Sequence, residues 1–440
     1  MGFRHRIKYL PGASYSLARR VVSIALLCSG LFGAAAPVLA CPAALFDFET
    51  APRMSGVRQG VRLFAKSSAA GLKNGVAAIP IQIDPVDGDG HLMFFDDSSY
   101  MGKNLDRIDM FSFRVEDFGD KIDPKKEKLP CQGPHVYEVK DEKGRYAYLT
   151  NCGVLAAPVF HPFKVSFEKD AHLLESPVYR YKFNPENYMQ FNSIAFKSGT
   201  GWATVAEDSR MLIRADVKNF FDMNFDSRQI ESHLEASRLG PVGNLARLSF
   251  YLRILFFKID LKLSTDVGFY QDSGRIPMMV NIPVNAQEYL HPGSGILYSW
   301  ALSPEAEKAP KEINMPPLDV AEVRKGHKEY AKTGLKNCKG NDCTFIYTVD
   351  FRGQRMSMDL VVKKPLVERG FFPAYVDDIL KYQDQMGWDL NFPKGTKRPG
   401  LYFEVSGLPK GGHPWDFWLR LGTPREALRG CPAMVHVSRI

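Results

Sequence analysis

Residues 246–272 read ARLSFYLRILFFKIDLKLSTDVGFYQD and form the longest unbroken β signal in the chain. From Phe257 onward, apolar and charged residues alternate, a period that is typical of a strand with one buried and one solvated face. Residues 250–257 are apolar apart from Arg253, as in a strand that crosses the middle of a domain. We therefore predict a long central strand with a wet face that carries Lys258, Asp260 and Lys262.

Shorter β segments lie on both sides of this stretch. They cover residues 77–83, 92–95, 109–115, 178–183, 190–196, 202–206, 211–217, 277–284, 295–302, 401–405 and 415–421. Residues 227–239 are predicted as a helix, because Asp226 or Ser227 can cap its start and Gly240 with Pro241 can end it. This order of elements predicts a mainly β, α+β protein whose antiparallel sheets form a sandwich or partial barrel.

Two hairpins and two further helices are indicated locally. Residues 136–139 and 146–149 flank a turn that ends in Gly144, and residues 344–351 and 355–362 flank Arg352 and Gly353. A capping pair, Asp319 and Glu322, begins a helix that we expect to end at Gly334. A second helix is predicted to begin at Pro373.

The first 40 residues have the pattern of a secretion signal. Basic residues precede the uncharged apolar segment 21–39, and small residues follow up to Ala40. We predict cleavage after Ala40 and no membrane-spanning segment beyond it, with an uncleaved anchor as the alternative. Cys41 would carry lipid if the chain were a bacterial lipoprotein, but cysteine parity favours simple release to the periplasm or the exterior.

The basic excess of the chain belongs mostly to this signal. The chain has a formal net charge of +8, and the signal contributes five basic residues and no acidic one. No later stretch combines a basic patch with stacking aromatic residues. Nucleic-acid binding is therefore not expected.

Six cysteines follow residue 40, an even number that predicts three disulfides in an exported protein. Two of them, Cys131 and Cys152, are nearly equidistant from the first hairpin turn and are predicted to pair. The closely spaced Cys338 and Cys343 are predicted to form a second pair, which leaves Cys41 to pair with Cys431 by elimination.

About 400 residues exceed what one core supports, so we predict two or three domains. The boundaries follow changes in composition, and the linker is marked by four prolines. The predicted parts are a signal at residues 1–40, an N-terminal β-rich domain at 41–158, a central antiparallel β domain with one helix at 159–302, a linker at 303–317 and a C-terminal α+β domain at 318–440.

Contiguous catalytic motifs are not found in the sequence. The patterns Gly-x-Ser-x-Gly, Walker A and the dinucleotide glycine motif are missing. Aspartates between residues 84 and 97 surround two glycines but do not follow the spacing of an EF-hand, so they are interpreted as a solvated turn. We predict no cofactor and no metal site.

Three groupings are candidates for ligand binding. Alternation places Trp418 on one strand face with Arg420, near His413, where an indole could stack on a sugar while charges bind its hydroxyls. Tyr298 and Trp300 follow a glycine-rich turn that begins at His291, and Arg210 with Arg214 lies among carboxylates that include Asp216. In each case the alternative is a structural role, with the indoles packed under a loop and the arginines in surface ion pairs.

These observations favour an exported cell-envelope protein with a non-enzymatic binding or structural role. Its expected partner is a polysaccharide, a lipid or another envelope component. The alternative is a glycan-active hydrolase or lyase, because its carboxylates need no contiguous motif. A sugar-binding protein should expose Trp300 or Trp418 in a groove, and a lipid carrier should enclose an apolar cavity.

Overall fold

The structure is a computed structural model in which β-strands predominate. No helix within the described ranges combines the length and the apolar character needed to cross a membrane. The described ranges are residues 43–47, 58–66, 75–84, 104–105, 109–123, 127–131, 133–141, 143–153, 166–168, 171–220, 222–226, 229–254, 257–270, 272–282, 284–326, 332–371, 373–388, 397–421 and 435–439.

The elements are numbered in chain order. The strands up to the predicted central domain are β1 (Ala43–Asp47), β2 (Val61–Lys66), β3 (Val76–Ile79), β4 (Ile81–Asp84), β5 (Met110–Arg114), β6 (Val136–Asp141) and β7 (Tyr146–Asn151). Then come β8 (Ser166–Glu168), β9 (Leu173–Glu175), β10 (Tyr179–Asn184), β11 (Asn187–Ser198), β12 (Gly201–Asp216), β13 (Asp222–Asp226), β14 (Ile230–Leu239), β15 (Asn244–Ile254), β16 (Phe257–Phe269), β17 (Ser273–Ile282) and β18 (Gly295–Leu302). The last are β19 (Lys311–Ile313), β20 (Cys338–Lys339), β21 (Asp342–Phe351), β22 (Gln354–Lys363), β23 (Pro373–Val376), β24 (Gly400–Glu404), β25 (Gly411–Leu421) and β26 (Val435–Arg439). The α-helices are α1 (Ala286–Tyr289), α2 (Pro304–Lys308), α3 (Val320–Lys325), α4 (Lys364–Glu368) and α5 (Ile379–Met386), and 3-10 turns cover Arg58–Gly60, Val115–Asp117 and Leu335–Asn337.

The largest sheet folds into two antiparallel layers. The first layer has the order β8-β9-β10-β11-β12-β18-β24-β23, with β13 paired to the end of β12. The second has the order β14-β15-β16-β17-β25-β22-β21-β19, with β20 beside β21. A parallel bridge between Asn187 and Ser232 joins β11 to β14, so the whole sheet is nearly closed and barrel-like.

The inner faces of the two layers form the main core. The ring of Tyr181 on β10 lies 5.8 Å from that of Phe269 on β16, and the ring of Phe403 on β24 lies 4.8 Å from that of Trp415 on β25, measured between centroids. Alternation along each strand buries one set of side chains between the layers. The predicted mainly β fold, with antiparallel sheets forming a sandwich or partial barrel, is confirmed.

Residues 246–272 form a hairpin rather than the single central strand that was predicted. β15 pairs with β16 from Asn244 opposite Phe269 to Ile254 opposite Phe257. Residues 250–257 contain no Gly, Pro, Asn or Asp that would mark the reversal in the sequence. The side chains of the predicted wet face, Lys258, Asp260 and Lys262, lie outside the described part of the chain.

The helix predicted at residues 227–239 is wrong. This segment contains β14, which pairs with β15 over its whole length. Gly240 and Pro241 belong to the turn between the two strands, where the Gly240 amide donates to the Gly243 carbonyl at 2.8 Å. Glu, Ala, Leu and Arg favour a helix by less than about 1 kcal/mol per residue, and pairing with β15 outweighs that preference.

The predicted hairpins and two disulfides are present. In the first turn Gly144 has φ 76°. In the second turn Arg352 and Gly353 have φ 52° and 77°, as a two-residue hairpin loop requires. Disulfides join Cys131 to Cys152 and Cys338 to Cys343. The predicted pair of Cys41 and Cys431 lies outside the described residues.

The two later helices differ in extent from the prediction. Asp319 caps α3 by accepting hydrogen bonds from the amides of Ala321 and Glu322, as expected, but α3 ends at Gly326. Residues 332–334 are helical again, and this stretch ends at the predicted Gly334. Pro373 begins β23 rather than a helix. The helix α5 starts six residues later, where the Asp378 side chain accepts a hydrogen bond from the Leu380 amide.

The domain boundaries stay a prediction. The stretch 303–317, predicted as a linker, contains α2 and β19. Strands from both sides of it pair in one sheet, since β18 pairs with β24 and β17 with β25. The strand β26 pairs with β6, at the edge of the sheet ordered β26-β6-β7-β2-β3.

A second small sheet, β1-β5-β4, is joined to the sandwich through buried polar groups. The Oε1 atom of buried Gln82 on β4 accepts hydrogen bonds from the amides of Val242 and Gly243 at 3.1 and 2.9 Å. Its Nε2 atom donates to Asp84 at 2.9 Å, and Asp84 lies 3.7 Å from Arg238. This network fixes the β14–β15 turn against the first region of the chain.

Candidate functional site

Both tryptophans that were expected to stack on a sugar are buried. Trp300 has 0 % of its surface exposed and packs against Tyr347, with ring centroids 5.0 Å apart. Trp418 is 3 % exposed, lies 5.7 Å from the guanidinium of Arg275 and packs against Met110 of β5. Sugar binding through these two indoles requires one of them to be exposed, so the structure does not support it, and the packing alternative describes both.

Tyr298 points between the layers, toward a small apolar cavity. The cavity has a volume of about 40 Å³, which is room for only a few water molecules. An acyl chain does not fit such a space, so this cavity gives no support to a lipid carrier. Its lining comes from both layers: Met189, Met211, Ile276, Met278, Ile296, Tyr298, Leu401, Phe403, Trp415 and Phe417.

His413 and Arg420 lie on β25 but belong to different surroundings. His413 is buried, and burial lowers the pKa of its imidazole while its Nε2 lies 2.8 Å from the Pro409 carbonyl. The Arg420 guanidinium forms a buried ion pair with Asp359 at 2.7 Å. The structure therefore does not bring these residues together with Trp418 into one open site.

Arg210 and Arg214 also differ in their partners. Arg210 lies 2.8 Å from Asp208 at an irregularity of β12, and buried Arg398 contacts the same carboxylate at 3.0 Å. Arg214 extends to the end of β12, where its Nη1 donates to the Gly293 carbonyl at 3.1 Å. The structure thus joins Arg214 to the glycine-rich turn that precedes Tyr298.

The end of β12 presents a polar surface with an exposed tyrosine. One bridge, between Val217 and Leu290, pairs the end of β12 with the segment before β18. Two backbone hydrogen bonds flank this bridge: the Lys218 amide donates to the Tyr289 carbonyl and the His291 amide donates to the Asp216 carbonyl, both at 2.8 Å. They bring Asp216, Lys218, Tyr289 and His291 together, and Asp222 of β13 lies directly opposite Asp216. We call these five residues the Tyr289 face.

Arg214 holds the two carboxylates of the Tyr289 face. Its Nη2 lies 3.2 Å from Asp216 Oδ2 and 2.5 Å from Asp222 Oδ2. Those two oxygens can be no further apart than the sum of the two distances, so they fall short of the roughly 6.5 Å minimum of an inverting glycosidase pair. The shared cation also offsets the repulsion between two like charges placed directly opposite each other.

Hydrogen bonds of the turn 291–294 hold the Tyr289 face in place. The Ser294 hydroxyl donates to the His291 carbonyl at 2.8 Å and accepts from the Asp216 amide at 2.9 Å. Buried Glu404 accepts hydrogen bonds from the Gly293 amide at 3.0 Å and the Tyr402 hydroxyl at 2.8 Å. Burial raises the pKa of the Glu404 carboxyl, and its hydrogen bonds lower it by less.

We expect Glu404→Gln to remove part of the pH dependence of stability. Because the folded state has the higher pKa, it binds more protons than the unfolded chain above about pH 4.5, and stability falls as the pH rises toward the folded pKa. A glutamine does not titrate. The free energy of unfolding of the variant, minus that of the wild type, should therefore increase with pH in urea titrations between about pH 4 and 8.

Glu305→Gln provides the matched control. Glu305 is exposed, and its hydrogen bond with Arg352 lowers the pKa of its carboxyl. The difference between this variant and the wild type should change with pH in the opposite direction. Parallel stability curves for Glu404→Gln and the wild type would contradict the assignment.

Sequence reasoning did not single out Tyr289, Lys218 or Asp222. Tyr289 is one of two large hydrophobic side chains that are well exposed among the described residues, at 46 %, and exposure is not visible in a sequence. The available signal in the sequence was Asn219, a residue type that tolerates the positive φ of a turn. It adopts φ 59° just after β12. Within the described ranges, no group of three or more His, Cys, Asp or Glu side chains could hold a metal ion.

Comparison with known proteins gives no family. No family model and no curated protein matches the chain. Similar solved structures include an α-mannosidase from Enterococcus faecalis V583, with 6 % identity and a TM-score of 0.36, and a glycosyl hydrolase family 38 protein from Enterococcus faecalis, with 7 % identity and a TM-score of 0.37. The matches cover 90 % and 97 % of this chain, which spans 47 % and 50 % of the two structures. A likeness at these TM-scores carries no argument about this chain.

Proposed function

We propose that the protein is an exported cell-envelope protein that binds a polysaccharide at the Tyr289 face and does not transform it. The observation that carries this proposal is the exposed side chain of Tyr289 beside the backbone bridge that joins its segment to the end of β12, where Asp216 lies directly opposite Asp222. An aromatic ring can cover the apolar side of a sugar, while carboxylates and an imidazole bind its hydroxyls.

The site is held in place before a ligand arrives. Arg214 orients both carboxylates, and the turn 291–294 is fixed by the hydroxyl of Ser294. Groups that are already ordered lose little conformational entropy on binding, which favours affinity for a weakly interacting ligand such as a sugar chain.

The proposed compartment fits the covalent structure. Two disulfides are compatible with a periplasmic or extracellular protein, because such bonds persist in oxidising compartments. Cleavage after residue 40 and release without lipid at Cys41 remain part of the proposal, since those residues lie outside the described ranges.

We expect Tyr289→Ala to weaken polysaccharide binding about fivefold, which corresponds to the loss of about 1 kcal/mol of ring contact. The measurement is affinity electrophoresis of the secreted protein in native gels that contain an α-glucan, a β-glucan or a galactomannan. The wild type should be retarded by at least one of them.

Leu239→Ala is the matched control, because Leu239 is the other well-exposed large hydrophobic residue, at 57 %, and lies on β14 of the other layer. Its mobility should equal that of the wild type. Equal retardation of Tyr289→Ala and the wild type would refute the proposal, as would free migration of the wild type in every gel.

The close carboxylates favour one alternative, a glycan-active hydrolase. Asp216 and Asp222 are near enough for a retaining pair, whose carboxyl groups lie about 5 to 5.5 Å apart. New reducing ends in the incubations with wild-type protein, lost in Asp222→Asn, would establish this alternative. Intact polysaccharide after incubation supports binding without reaction.

A further inference from the structure

A second surface lies at the other end of β12, on the outer face of the first layer. Tyr179, Tyr181 and Phe183 of β10 point into the core, so the residues between them point outward. The outward positions of β10, β11 and β12 lie opposite one another in rows. Their side chains are Arg180, Lys182, Ser193, Ala195, Lys197, Trp202 and Thr204.

A partly exposed indole and two cations form the centre of this surface. The Arg180 guanidinium carbon lies 4.3 Å from the ring centroid of Trp202, and Lys197 Nζ lies 4.8 Å from it. Arg180 is also held by Glu175, with its Nε 2.5 Å from the carboxylate. We call Arg180, Lys182, Lys197 and Trp202 the Trp202 platform.

The small residues beside the indole keep the surface flat. Ala195 lies opposite both Arg180 and Thr204, and Lys182 lies opposite Ser193 in the next row. Longer side chains at Ala195 and Ser193 would project from the sheet into the space beside Trp202 and Lys182. A flat sheet face with cations around an aromatic ring can therefore contact an extended chain over several units.

We propose that the Trp202 platform binds an acidic polysaccharide, through carboxylate or phosphate groups on its sugars. Glu175 pairs with Arg180, exposed Glu207 lies opposite Ser193, and Glu168 lies in the same row as Lys182, two strands away. Among the described residues, neither Lys182 nor Lys197 forms an ion pair. The Arg180 guanidinium lies over the Trp202 ring, and a guanidinium suits a planar carboxylate because it can donate two parallel hydrogen bonds to it.

This surface is separate from the Tyr289 face. Trp202 and Asp216 lie near opposite ends of β12, at the second and the last residue of this long strand. The two sites also differ in charge chemistry, since the Tyr289 face carries paired carboxylates and the Trp202 platform carries cations. Binding at the Trp202 platform therefore does not depend on binding at the Tyr289 face.

The test uses polygalacturonate as the acidic probe and dextran as the neutral one, in affinity electrophoresis at low ionic strength. The wild type should be retarded more strongly by polygalacturonate than by dextran, and raising the salt from about 0.05 to 0.5 M should abolish the retardation by polygalacturonate. Lys182→Gln with Lys197→Gln should weaken binding about tenfold, and Trp202→Ala about fivefold. Because both lysines are exposed, the double variant should fold like the wild type, and it tests the proposal even if Trp202→Ala does not fold.

Lys339→Gln, an exposed lysine on β20, is the control and should bind as the wild type does. The proposal would be overturned if polygalacturonate did not retard the wild type, or if it retarded the double variant equally. It would also be overturned if the protein co-sedimented with phosphatidylglycerol vesicles but did not bind polygalacturonate. Tyr289→Ala should leave polygalacturonate binding unchanged. A loss in that variant would show that both probes use the Tyr289 face and would also overturn the proposal.

Discussion

Asp416→Ala is expected to destabilise the protein by about 3–5 kcal/mol, because it leaves a buried guanidinium without its partner. Asp416 on β25 accepts from Arg275 Nε at 3.0 Å, and both side chains are almost fully buried. Burial raises the pKa of the Asp416 carboxyl although Arg275 lowers it, so the charge is costly even when paired. The change is measured by urea unfolding followed by circular dichroism.

Two variants separate charge from packing in this experiment. Arg275→Met combined with Asp416→Leu should recover most of the lost stability, because apolar residues of similar volume commonly replace buried ion pairs at little cost. Asp342→Ala breaks the exposed pair with Lys363 and should cost less than about 1 kcal/mol. A cost below about 1 kcal/mol for Asp416→Ala would show that Arg275 finds water or another partner.

Gly240→Ala is expected to cost about 2–4 kcal/mol, through a clash with one identified side chain. A Cβ atom at Gly240 would lie 2.1 Å from Gln82 Oε1, the atom that accepts from the amides of Val242 and Gly243. The glutamine must move, and two buried amides then lose their acceptor. Thermal or urea unfolding of the variant gives the cost directly.

A double-mutant cycle provides the control for this prediction. Gln82→Ala removes the hydrogen bonds but leaves room for the new methyl group. Gly240→Ala should therefore cost almost nothing in the Gln82→Ala background, and the two changes should be strongly non-additive. Additive costs would place the strain of Gly240→Ala in the turn itself rather than at the contact with β4.

The sequence predicted the fold class because local patterns agree with the tertiary structure over most of the chain. Alternation in β25 and glycines in the hairpin turns mark single elements. Two errors have one physical cause. The turn after Ile254 carries no turn residue, and β14 is made of residues that favour helices, so only pairing with β15 defines both.

The candidate site could be predicted only in part. Arg214, Asp216 and His291 lay in groupings that the sequence singled out, but their proximity depends on the bridge between Val217 and Leu290. Such contacts join residues far apart in the chain and leave no local pattern. For Trp418, alternation predicted the correct face of the strand. The sequence did not show that Met110, in the first region of the chain, packs on that face and buries the indole.

The pairing of β26 with β6 has a consequence for the order of events during biosynthesis. The edge of β6 stays open until the ribosome has added residues 435–439, although β6 itself is made some 300 residues earlier. Pairing across such a long separation is slow, so this edge stays open for longer than edges that are paired by neighbouring strands, and an open edge can pair with another chain.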